Sequence, residues 1–115
     1  MYNLFLGSIR SSFLTSPNYP NNYQNNLNIG WSVWISNNNA MEVLGFNFDT
    51  HVLEYYWDYV KVTDEWTGRV LFQSGKFMSR TFVSDSNIVH IQFKTDRSVT
   101  MKGFKLNVWK RQKSK

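Results

Sequence analysis

Polar and apolar residues trade places every second position over much of this chain. The clearest case is residues 88–94, where Val89, Ile91 and Phe93 fall on one face and His90 and Gln92 on the other. That is the period of a half-buried strand. Residues 28–36 place Ile29, Trp31 and Val33 on one face and Trp34 on the other, and residues 104–109 align Phe104, Leu106 and Val108. Shorter strands are predicted at 3–6, 9–14, 59–62, 69–73 and 81–83, with a hairpin turn over 64–68. Residues 41–48 begin in alternation and slip by one at Leu44-Gly45. A glycine at such a slip predicts a β-bulge that aims Asp49 into the next loop. Nowhere do apolar residues keep a period of 3.6 over three helical turns. Short strands separated by turns predict an all-β fold, an antiparallel sandwich of two sheets.

With 115 residues and 17% aromatics, the chain has material for one modest core. The net charge of +5 raises the question of a nucleic-acid partner, but four of the thirteen basic residues (Lys110, Arg111, Lys113 and Lys115) lie in the last six positions. The rest is close to neutral, which argues against a nucleic-acid surface. The expected division is a single domain over 1–110 followed by a solvated basic tail over 111–115. No apolar run is long enough to span a membrane, and the first residues lack the basic start and long apolar stretch of a signal peptide. The chain has no cysteine, which excludes disulfides, thiolate catalysis and cysteine-held zinc. No asparagine begins an Asn-x-Ser/Thr acceptor sequence for N-glycans.

Candidate chemistry gathers between the strands at 41–48 and 59–62, where Asp49, Glu54 and Asp58 stand within ten residues. Neighbouring carboxylates repel unless a cation neutralises them, and Ca²⁺ favours clustered oxygen ligands. A solvated acidic turn is the alternative. Asp49 and Asp58 form a conceivable glycosidase pair, but no further catalytic feature accompanies them, and His51 and His90 read as ordinary surface histidines. The loop over 16–24 holds tyrosines that read as packing lids. Two further binding modes remain: a carbohydrate-binding sandwich using Tyr55, Tyr56, Trp57 and Trp66 as stacking platforms, and a C2-like, Ca²⁺-dependent binder of anionic lipid.

Several motifs occur in an order that resembles one family. Ser16-Pro-Asn-Tyr-Pro20 followed by Tyr23, the apolar run closing on Phe46-x-Phe48-Asp49, and Asp58-Tyr-Val-Lys-Val62 come first. Ser84-x-Ser86-Asn87-x-Val89-x-Ile91-x-Phe93, then Thr95-Asp96-x-Ser98 and Gly103-Phe104, complete the set. From about 16 to 108 the chain resembles the CUB domain family. The resemblance implies a jelly-roll-like sandwich in an extracellular protein, acting in protein recognition and not in catalysis. It also implies a Ca²⁺ site held by Asp49, Asp58, Asp96 and the Ser98 carbonyl. In that arrangement a Lys or Arg of a protein partner docks between Asp49 and Asp96, with Tyr23 completing the contact. Glu54 matches no family ligand and reads as a solvated loop acid. Two departures stand out. The family usually has Glu where Asp49 stands, and it usually carries two disulfides, whose positions fall at Ile29, Tyr55 and Ser74 here. Aromatic burial, at Tyr55 above all, is expected to replace the missing bridges.

Overall fold

The computed structural model describes residues 2–36, 42–54, 57–75 and 79–113. Among these, nine strands form: β1 (Tyr2–Phe5), β2 (Ser11–Thr15), β3 (Asn28–Trp34), β4 (Glu42–Val52), β5 (Tyr59–Asp64), β6 (Val70–Gln73), β7 (Thr81–Val83), β8 (Ile88–Lys94) and β9 (Gly103–Gln112). They make two sheets, ordered β1-β3-β8-β5-β6 and β2-β9-β4-β7. Every pairing is antiparallel except β1 with β3, which run parallel.

The alternation of β8 explains its central place. Ile91 faces Trp31 on one side and Val62 on the other, and Phe93 faces Ile29 and Val60. The second sheet answers with Leu14, Leu44, Phe46, Phe48, Phe104, Leu106 and Val108, all buried. Aromatic rings bridge the layers. Phe93 meets Phe104 edge-on at 5.1 Å between centroids, and Phe48 lies 4.5 Å from Phe72. Such pairs add about 0.5–1.5 kcal/mol beyond the area they bury. Ile29 packs half-buried against this core, while Tyr55 lies outside the described residues.

Two expectations about strands need correction. β4 pairs with β9 without interruption from Glu42 to Phe48, so Gly45 is not at a bulge; the irregularity lies between Phe48 and Thr50. The apparent slip in the pattern arises because Val43, on the outer face, is also buried. β9 continues through Gln112, which pairs with Glu42, so two of the residues expected in the tail belong to the sheet. Trp34 does face away from the core, where its ring stacks on Phe5 at 5.5 Å.

Gly103 shows how the 16–24 loop is fastened. Its φ of +94° suits glycine, and a Cβ there would come within 1.9 Å of the Ser16 hydroxyl. Ser16 is buried, and its Oγ accepts the Phe104 amide at 3.0 Å. Tyr23, at the far end of the loop, is 1% exposed and meets Phe93 edge-on at 5.2 Å.

Candidate metal and ligand site

Asp58 opens β5 and is almost fully buried. Its Oδ2 accepts the Tyr23 hydroxyl at 2.5 Å and its Oδ1 accepts the Asp96 amide at 2.9 Å. The Tyr23 oxygen in turn accepts the Glu54 amide at 3.2 Å. The Asp58 amide donates to the Glu54 carbonyl at 3.2 Å. The turn carrying Asp96 is tied down beside it: Asp96 accepts from the Asn26 amide through its carbonyl and from the Ser98 amide through Oδ1. Thr95 holds the same stretch by donating to Gln24 and accepting from the Leu27 amide.

These contacts bring Glu54, Asp58 and Asp96 together, with one carboxylate oxygen from each inside a 4.8 Å separation. Glu54 Oε1 is buried with no hydrogen-bond partner. Burial, then the charge of Asp96 and a hydrogen bond with it, then the charge of Asp58, push the Glu54 carboxyl above its ordinary pKa. The Tyr23 hydroxyl is likewise pushed up, first by burial and then by its bond to Asp58. An orphaned buried carboxylate oxygen beside two more carboxylates is a donor set that suits a hard divalent cation. The group borders an open cavity also lined by Trp57, Arg97 and Ser98.

One expected site residue stands apart, and one acid not expected at the site stands in the group. Asp49 does not join the group: it is exposed beyond the irregularity in β4, and its Oδ2 lies 3.8 Å from Lys105 Nζ. Glu54, read from the sequence as a solvated loop acid, is the acid grouped with Asp58 and Asp96. A spacing along the chain cannot reveal this, because it depends on the hydrogen bonds that hold Glu54, Asp58 and Asp96 side by side.

His51 is not an ordinary surface histidine. Its Nε2 lies 2.8 Å from Ser74 Oγ, and its ring meets Phe48 and Phe72 edge-on. Burial lowers its pKa. Ser74 also accepts the Val60 amide at 3.0 Å, so a position where the family carries cysteine here joins β4 to the β5–β6 hairpin by hydrogen bonds. His90 stays at the surface, 3.9 Å from Glu65.

Asp64, at the other end of β5, was legible only as a turn residue. It is fully buried, and it accepts the amides of Trp66, Thr67, Asp85 and Ser86 and the Ser86 hydroxyl. Trp66 is exposed beside it, whereas exposed Trp57 lines the Glu54 cavity. The two tryptophans flank opposite ends of β5 and share no platform. Tyr55 and Tyr56 lie outside the described residues.

Comparison with known proteins agrees with the geometry. The CUB domain family pattern matches residues 8–108. Rat cubilin is 31% identical over 99 residues, covering 79% of this chain and 3% of cubilin, and rat neuropilin-2 is 27% identical over 106 residues, covering 88% of this chain and 12% of neuropilin-2. The chain thus spans a small fraction of these relatives. Among solved structures, the extracellular region of zebrafish Gpr126/Adgrg6 superimposes with a TM-score of 0.78 at 24% identity, over 96% of this chain and 15% of that one. The MASP-1 CUB2 domain bound to Ca²⁺ superimposes with a TM-score of 0.77 at 20% identity, over 94% of this chain and 96% of that one. CUB domains are protein-interaction modules of extracellular proteins. The sandwich, the order of its motifs and the family match together place this chain in the CUB domain family.

Proposed function

We propose that the chain is a non-catalytic recognition module of an extracellular protein, in which Glu54, Asp58 and Asp96 hold Ca²⁺ and present an acidic face to a Lys or Arg of a protein partner. The observation that carries this reading is the buried, partnerless Glu54 Oε1 within reach of two other carboxylates. The Ca²⁺-bound MASP-1 CUB2 domain, with the same fold, supports it. Bound Ca²⁺ would supply charge neutralisation, relieving the repulsion among the three acids. The Ser98 carbonyl remains a proposed fourth donor. Glu54 replaces Asp49 in the proposed ligand set, because Asp49 faces Lys105 instead.

The chain's own residues would do the rest. Tyr23 and the Asp96 amide hold Asp58 in one orientation, so its carboxylate needs little reordering to meet a cation. A partner ammonium, with three donors on a flexible stem, can adapt to carboxylates fixed in this way. The cavity is open, so each such contact is moderate in strength, and tight attachment calls for several modules acting together.

Calorimetric titration with Ca²⁺ tests the reading. Glu54→Gln and Asp58→Asn are expected to abolish the binding heat, while Asp49→Asn leaves it intact. Binding that survives Glu54→Gln but is lost in Asp49→Asn would restore Asp49 as the ligand and overturn this assignment.

A further inference from the structure

Gly45 explains a surface that the recognition site does not use. A Cβ at this position would lie 2.5 Å from Cε2 of Trp109, 2.6 Å from Nε1 and 2.9 Å from Cζ2. The nearest atom is the one bonded to the other two, so the ring rests on the backbone by its face and not by its edge. The opposite face of the indole then points away from the sheet, and Trp109 is only half-buried. Its neighbours follow from the register of the second sheet. Ser11 stands across from Trp109, and Asn107 lies between Phe13 on β2 and Asn47 on β4. Asn47 donates to the Thr81 hydroxyl at 2.9 Å. Phe13 is 56% exposed and carries Lys105 Nζ 4.7 Å from its ring centroid. Lys105 and Arg111 lie on the same face, four residues before and two after Trp109; β9 itself contains no acidic residue, but exposed Asp49 of β4 lies 3.8 Å from Lys105 Nζ.

We propose that this outer face of the β2-β9-β4-β7 sheet binds an acidic oligosaccharide. Two separate ring faces, divided by amides and hydroxyls, differ from the continuous apolar patch at the centre of a protein interface. They match a sugar, whose ring presents C–H groups to an aromatic face and hydroxyls around its rim. Asn47, Asn107, Ser11 and Thr81 each both donate and accept, as hydroxyl recognition requires. Arg111 supplies charge-assisted bonds to a carboxylate or sulfate substituent, and Lys105 adds to them where its ammonium turns from Asp49 to the ligand. From Lys105 to Trp109 the strand rises about 13 Å, so the face suits several linked units. All these side chains project from paired strands, which fixes their spacing without any metal. The expected carbohydrate contact therefore moves from the loop tryptophans to the sheet face.

Titration of the ¹⁵N-labelled domain with a heparin-derived hexasaccharide tests the proposal, with maltohexaose and inorganic polyphosphate as comparators. The sulfated hexasaccharide is expected to shift amides of β2, β4 and β9 equally in Ca²⁺ and in chelator. Phe13→Ala and Asn107→Ala should each weaken binding about tenfold, the size of one lost stacking or hydrogen-bond contact, with melting temperature nearly unchanged. Trp57→Ala and Trp66→Ala should leave binding intact. Polyphosphate binding as tightly as the hexasaccharide, with no effect of Phe13→Ala, would reduce the face to a charge patch and overturn the proposal. Equal binding of maltohexaose would overturn its acidic part, and loss of binding in chelator would transfer it to the Glu54 cavity.

Discussion

Asp64 carries more structure than any other single acid in this chain. Four backbone amides and a hydroxyl converge on its two oxygens. Burial alone would raise its pKa, but these donors outweigh burial and hold the carboxyl below its ordinary value of 3.8. A carboxyl depressed on folding contributes stability that is complete above the unfolded value and fades as pH falls through the folded one. Asp85, held down chiefly by the Arg69 guanidinium, adds to the same trend. Denaturant unfolding is therefore expected to show stability falling as pH drops below about 4, and Asp64→Ala should flatten that part of the profile. The same substitution is expected to cost about 3 kcal/mol, since it strands several buried donors at once. An unchanged unfolding midpoint would show that water replaces the carboxylate freely.

At the scale of elements, β9 is the staple of the second sheet. It pairs with β2 along one edge and with β4 along ten positions of the other. Arg111 and Gln112 complete the β4 pairing and cover the end of the strand where Val43 is 4% exposed. Truncation after Lys110 should therefore lower stability by about 1–2 kcal/mol through lost ladder bonds and uncovered apolar surface. For a domain of this size that is a fall of roughly 5–10 °C in melting temperature. Removing only the last two residues should change little, and equal melting of both truncations would return 111–112 to the tail. On the other side of the core, the His51–Ser74 bond joins β4 to the end of β6. It connects the two sheets by a hydrogen bond.

For the whole molecule, the acidic cluster draws on two distant segments: the connection between β4 and β5, which carries Glu54 and Asp58, and the turn after β8, which carries Asp96. A cation bound there would fasten both to the folded state and neither to the unfolded chain. At a hundred times its dissociation constant, Ca²⁺ should add about 2.7 kcal/mol, a rise of roughly ten degrees in melting temperature. Scanning calorimetry in Ca²⁺ and in chelator measures this directly, and coincident traces would count against the site. A basic partner held there should dissociate in chelator and bind less tightly as salt rises.

Alternation alone determined the all-β class, the position of β8 to the residue and the inward faces of β3, β8 and β9, because a strand's two faces are set by a period of two in the chain itself. The motifs around Asp58 and Asp96 were legible for the same local reason, each being a short run read against a known pattern. Which acid joins them was not. Asp49 and Glu54 stand five residues apart, and the choice between them depends on an irregularity in β4 and a turn closed by the Asp58 amide. The anchoring role of Asp64, the half-buried His51 and the indole laid over Gly45 were hidden alike. Each depends at least in part on partners more than twenty residues away in the chain. Only the stacking and register of the two sheets bring such partners within bonding distance.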